Sequence, residues 1–202
     1  MENNTLPTNE IIFILDRSGS MASIANDAIG GFNTFLQAQQ DDVAPSRMTL
    51  VLFDDQYEVP HASVPVAEIP ALNAHTFVPR GSTALLDAIG RSIRDLEKRL
   101  LNLPKAELPD KVIIAILTDG EENSSREWTY ARLSDLIQVC RDQRKWEFLF
   151  IAANQDAIAS AGRISIAAHD AVNFQSTPAS TRQAFGRLNQ EVMQRKSRPA
   201  MK

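Results

Sequence analysis

The chain has 202 residues, 44% of them hydrophobic, and a formal net charge of −4. That content supports one globular domain with its own core and lies above the level at which disorder is expected. Charges of both signs are interspersed, which leaves no basic face for nucleic acid, and no apolar run approaches the ~18 residues of a membrane span.

In chain order, the first ten residues (MENNTLPTNE) carry neither a basic n-region nor an apolar h-region. No signal peptide is read there, and a cytoplasmic location is expected. Ile11–Leu15 is too short for a helix and rich in β-branched residues, so it reads as a strand covered on both faces. It runs into Asp16-Arg17-Ser18-Gly19-Ser20, where Gly19 lets the backbone turn between the serines. Ile24, Ala28, Phe32, Phe35 and Leu36 recur at helical spacing and predict a helix from about Ala22 to Gln40. Gly30-Gly31 in its middle lowers helix propensity and predicts close packing on the sheet.

A loop over 41–46 leads to an alternating strand Arg47–Phe53, a turn at Asp54-Asp55-Gln56 and a return strand Tyr57–Val64. Pro60 and Pro65 place that return strand at a sheet edge, where a missing N–H is tolerated. Residues 65–82, with three prolines and Gly81, read as a long surface connection. Leu85, Leu86, Ile89, Ile93, Leu96 and Leu100 step by three and four, which puts Thr83 in the first turn of an amphipathic helix. Asn102–Asp110, with Pro104 and Pro109, breaks it.

Val112–Leu117 reads as the central strand and closes on Thr118-Asp119-Gly120. Trp128, Ala131, Leu136, Val139 and Cys140 mark a helix to about Lys145. Phe148–Ala152 is another buried strand, followed by a short helix near Gln155–Gly162 and a weak last strand, Ala171–Phe174. Ser176-Thr177-Pro178 opens a final helix with a capping hydroxyl and a first-turn proline, buried through Phe185, Leu188 and Val192. The expected organisation is one domain over 1–195 and a basic, disordered tail over 196–202. The alternation predicts a three-layer, doubly wound α/β fold. Its sheet is mostly parallel with one antiparallel edge strand, and helices lie on both faces.

Chemistry in open α/β sheets collects just outside the carboxyl ends of the strands. There the first strand offers Asp16, Ser18 and Ser20, and the central strand offers Asp119. Small oxygen ligands of this kind suit a hard cation such as Mg²⁺. Capping of the following helix would explain one of the first three residues, not three on alternate positions. Thr83 by itself is an ordinary residue at a helix start. It becomes a ligand candidate because that helix end would bring its hydroxyl to the same crevice. Asp119 would need a partner to offset its burial. Two carboxylates balance one divalent cation, and three neutral hydroxyls leave it electrophilic enough to accept a further carboxylate.

Asp16-x-Ser18-x-Ser20, then Thr83, then Thr118-Asp119-Gly120, resembles the metal-ion-dependent adhesion site of von Willebrand factor type A domains. The resemblance covers nearly the whole chain, because the order and spacing of the other elements fit as well. It implies a Rossmann-like fold holding Mg²⁺ (or Mn²⁺). Ser18, Ser20 and Thr83 would coordinate, Asp16 and Asp119 would act directly or through water, and an acidic residue of a protein partner would dock on the metal. The resemblance thus implies an interaction module or adaptor, with no enzyme activity.

Glu121, Glu122, Asn123 and Asn154 are candidates for the partner-binding rim, although a solvated polar loop explains the first three better and a helix cap accounts for Asn154. Asp87 reads as a carboxylate on a helix N-terminus, or as a group behind the ligands. Asp54 and Asp55 read only as the hairpin turn, and Cys140 as a small buried hydrophobe. The alternative is a metal-dependent phosphoryl-transfer enzyme with Asp16 as nucleophile. Phosphatases of the haloacid dehalogenase type place a nucleophilic Asp at such a strand end, but their second Asp, two residues on, is Ser18 here. No strand-end lysine completes that set, and there is no GxxxxGK[ST] loop. A structural subunit with a stabilising ion is the third reading.

Overall fold

Residues 11 to 15 point alternately to the two faces of a sheet, and all five are at most 1% exposed. Both faces must therefore be covered, and the helices do this. The computed structural model describes residues 8–153 and 157–198. Its strands are β1 (Asn9–Asp16), β2 (Ser46–Phe53), β3 (Tyr57–Pro65), β4 (Lys111–Thr118), β5 (Glu147–Ala153) and β6 (Ala171–Phe174). Its helices are α1 (Ala25–Gln40), α2 (Leu85–Leu101), α3 (Tyr130–Arg144), α4 (Ala157–Gly162) and α5 (Pro178–Ser197). The sheet order is β3-β2-β1-β4-β5-β6, with β3 antiparallel to β2 and the remaining pairs parallel. The expected architecture is the observed one.

Odd-numbered residues of β1 and β4 (Ile11, Phe13, Leu15, Ile113, Leu117) pack with Phe32 and Phe35 of α1 and Phe185 and Leu188 of α5. The Phe13 ring meets Phe32 edge-on at 5.2 Å and stacks on Phe185 at 6.2 Å. Even-numbered residues (Ile12, Ile14, Ile114, Ile116) pack with Ile89 and Ile93 of α2, Leu133 and Ile137 of α3, and Ala157 and Ala161 of α4. Fully burying each such aliphatic side chain contributes about 1.5–3 kcal/mol. The chain leaves β1 for β2 on one side and later returns to β4 on the other. The topological switch point therefore opens between the carboxyl ends of β1 and β4.

Four local expectations are corrected. The helix read from Ala22 begins as a 3-10 turn over Gly19–Ile24, and α1 starts at Ala25. Gly31 packs against α5 rather than the sheet: a Cβ there would collide with the Phe185 ring, whereas Gly30 faces open space. Thr83 lies two residues ahead of α2, in the loop and not in the first turn. The tail does not begin at residue 196, because α5 continues through Ser197 with Arg195 and Lys196 buried. Arg195 pairs with Glu147, Asp170 and Glu191, and Lys196 with Asp42. Lys111 Nζ donates to the Arg195 and Lys196 carbonyls at the end of that helix. Among the described residues, no helix is long and apolar enough to cross a membrane.

Candidate functional site

Asp16 ends β1 and is completely buried. Its Oδ1 accepts the Ser18 N–H at 2.6 Å, and its Oδ2 accepts the Thr118 hydroxyl from the end of β4 at 2.5 Å. Burial pushes the Asp16 carboxyl up to about 6, against the pull of these hydrogen bonds. Past the turn, Ser18 Oγ lies 3.1 Å from Ser20 Oγ, and the Ser20 hydroxyl donates to Asp119 Oδ1 at 2.6 Å. Burial raises the Asp119 carboxyl as well.

Thr83 arrives from the other side of the crevice. The geometry around Gly120 shows how close it comes. A Cβ on Gly120 would stand 2.8 Å from Thr83 Oγ1, 3.4 Å from Ser20 Oγ and 3.5 Å from Ser18 Oγ. Three hydroxyls from two loops thus converge on a space that a side chain at residue 120 would fill. Asp16, Ser18, Ser20, Thr83 and Asp119 are brought together at the switch point. Among the described residues, no group of three or more His, Cys, Asp or Glu side chains is placed to hold a metal ion. A cation here would meet two carboxylates and three hydroxyls, which fits a hard ion better than the nitrogen and sulfur set typical of zinc. A divalent ion would also offset the burial of both carboxylates.

The loop after β4 locks Thr83 in place. Thr83 N–H donates to Asn123 Oδ1 at 2.9 Å, and the Asn123 and Ser124 N–H groups donate to the Thr83 carbonyl. The Glu122 carboxylate accepts from the Leu86, Ser124 and Ser125 amides and the Ser125 hydroxyl, at 2.7–2.9 Å. It thereby caps the start of α2. Buried Asp87 accepts the Arg126, Glu127 and Trp128 N–H groups at 2.8–3.0 Å. Glu122 and Asn123, read as rim residues, therefore brace the loop, because amides left free by the irregular backbone claim their oxygens. Glu121 is exposed, and Asn154 lies outside the described residues.

Asp54 does more than close the hairpin: it is fully buried and accepts from Arg17 Nε at 3.1 Å and Arg80 Nε at 2.8 Å. Asp54 follows β2 at the same sheet end as Asp16, and two arginines stand near Asp16 and Thr83 in the sequence. That combination was the available signal. Cys140 is buried, and burial pushes its thiol up to about 11, as suits a small hydrophobe.

No protein-family model and no curated protein sequence matches the chain. Solved structures do. The von Willebrand factor domain of the type V pilus tip protein Mfa5 from Porphyromonas gingivalis aligns with a TM-score of 0.69 at 11% identity. That alignment covers 98% of this chain and 99% of that one. A von Willebrand factor type A structure from Catenulispora acidiphila gives 0.60 at 16% identity, over 93% of this chain and 43% of that one. Proximal thread matrix protein 1 of the mussel byssus, with zinc in its metal-ion-dependent adhesion motif, gives 0.60 at 15%, over 93% and 46%. The chain spans less than half the length of the last two. At these identities the likeness is one of fold, and the chain has the von Willebrand factor type A fold.

Proposed function

We propose that this chain is a metal-dependent protein-interaction module. Asp16, Ser18, Ser20, Thr83 and Asp119 would hold Mg²⁺ or Mn²⁺, and an Asp or Glu of a protein partner would complete the coordination. The ion's contribution, when bound, is an electrophilic centre for that carboxylate. The convergence of the three hydroxyls around Gly120, with Asp119 hydrogen-bonded to Ser20, carries this reading. Support also comes from structures of the same fold, one a pilus tip domain and another holding zinc at its adhesion motif. A phosphoryl-transfer role suits the geometry poorly. Asp16 is completely buried, with each oxygen already accepting a hydrogen bond, and Ser18 stands where such an enzyme would need its second aspartate.

The ion and the partner are tested in sequence. Mg²⁺ at ~100 times its dissociation constant should stabilise the protein by about 2.7 kcal/mol, and Asp16→Ala should remove the increment. Equal shifts in wild type and variant would remove the ion from this site. Thr83→Ala takes away one oxygen without changing charge. It should lose whichever protein the wild type retains from native lysate in Mg²⁺ and releases in chelator. Retention that survives both chelator and Thr83→Ala would leave the ion, if bound, a purely structural role.

A further inference from the structure

Four charged side chains lie behind the Thr83 loop. Arg17 follows Asp16, Asp54 and Glu58 belong to the β2–β3 hairpin, and Arg80 precedes Thr83 by three residues. The buried Asp54 carboxylate is shared: Oδ2 accepts from Arg17 Nε and Arg80 Nε, and Oδ1 accepts the Gln56 N–H at 2.6 Å. Glu58 pairs with both guanidinium groups at 2.6 Å, and the Arg17 hydrogen bond, aided by Arg80, holds its carboxyl below the usual range. Main-chain bonds join the same pieces. Arg80 N–H donates to the Arg17 carbonyl at 2.8 Å, Gly19 N–H to Gly81 at 3.1 Å, and Ala84 N–H to Asp54 at 2.9 Å.

Asp54 therefore grips the chain on both sides of Thr83. Its carboxylate takes Arg80 before it, and its carbonyl takes the Ala84 amide after it. Between these anchors Gly81 turns the chain at φ +66, a conformation that a Cβ would strain. Arg17 ties the same carboxylate to the segment between Asp16 and Ser18. One buried anion with two guanidinium partners fixes the spacing of the two loops that supply the hydroxyls.

We propose that Asp54, acting through Arg17 and Arg80, is the positioning residue of the site and sets where the Thr83 hydroxyl stands against Ser18 and Ser20. This rests on the metal reading above, and it assigns control of ion affinity to a side chain that does not touch the ion. The test is Mg²⁺ titration calorimetry on the full chain, with circular dichroism and chelated-state melting as fold controls. Asp54→Asn keeps the shape and removes the shared charge. It should weaken Mg²⁺ by about tenfold or more, one factor of ten in dissociation constant. Arg80→Gln, on a half-exposed side chain, should weaken it less. Arg80→Lys should fall between Arg80→Gln and wild type, because a point charge cannot serve Asp54 and Glu58 together.

The distinguishing measurement is non-additivity. In a Thr83→Ala background, Asp54→Asn should add less than about twofold, since its effect passes through that hydroxyl. A purely stabilising Asp54 would lower the chelated melting temperature, leave the Mg²⁺ constant within twofold of wild type, and overturn the inference alone. Full additivity with Thr83→Ala would overturn the route through Thr83. A wild type that binds no Mg²⁺ would overturn the metal reading and this inference together. Should Asp54→Asn fail to fold, Arg80→Gln with and without Thr83→Ala decides by the same criteria.

Discussion

Gly120→Ala inserts one methyl group into the space around which the hydroxyls gather, with no ligand removed and no charge changed. The backbone permits it: among the described glycines only Gly81 has a positive φ. The new Cβ would lie 2.8 Å from Thr83 Oγ1, and ordinary contact begins at 3.4 Å, so that oxygen must retreat by 3.4 − 2.8 = 0.6 Å or swing to another rotamer. Ser20 and Ser18, at 3.4 and 3.5 Å, can stay. Overpacking by one methyl should destabilise the chelated fold by about 1 kcal/mol, the low end for such insertions. Losing one charge-assisted oxygen should weaken Mg²⁺ by about 1.5–3 kcal/mol, roughly ten- to a hundredfold in dissociation constant. Mg²⁺ demands near-octahedral bonds of about 2.0–2.1 Å, whereas Ca²⁺ accepts longer, irregular ones. The Ca²⁺ constant should therefore change less. Calorimetric titration with both ions, beside the melting temperature in chelator, measures all three effects. A folded variant with unchanged Mg²⁺ affinity would refute the idea that an ion sits among these hydroxyls.

Neighbouring glycines of α1 should respond with opposite signs. Gly30→Ala meets nothing and should stabilise by about 0.5–1 kcal/mol. Gly31→Ala drives a Cβ into the Phe185 ring and should destabilise by about 1–3 kcal/mol in urea unfolding, with equal signs counting against the α1–α5 packing. The Cys140 thiol should resist iodoacetamide in the native state well above pH 8.5, since burial holds it near 11, and should react normally in urea; fast native labelling at pH 9 would contradict its placement. Arg195→Met strands the carboxylates of Asp170, Glu147 and Glu191 and should cost about 3 kcal/mol, the low end for a broken buried pair because two of the three are partly solvated. A loss under about 0.5 kcal/mol, the size of an ordinary surface change, would mean that the end of α5 is frayed after all.

Hydrophobic patterning is a local property, which is why the strands and helices were legible in the chain itself. Ile11–Leu15, Lys111–Thr118 and Phe148–Ala152 are β-branched and aromatic runs covered on both faces wherever they pair. The three-and-four spacing of Leu85 to Leu96 turns one stripe of α2 inward whatever it meets. The grouping of Asp16, Ser18 and Ser20 was legible for the same reason, since five consecutive residues cannot lie far apart. Charged and irregular segments obey no such local rule. Asp54 looked like a turn, and Arg195 and Lys196 like the edge of a solvated tail. Their partners stand far along the chain: Arg17 and Arg80 for Asp54, Asp170 for Arg195, and Asp42 for Lys196. Glu122 and Asn123 likewise find their hydrogen-bond donors 36 and 40 residues away, at the amides of Leu86 and Thr83, which need acceptors. Burial of a charge depends on what stands opposite it in space, and that is decided when the sheet order brings β2 beside β1 and β1 beside β4.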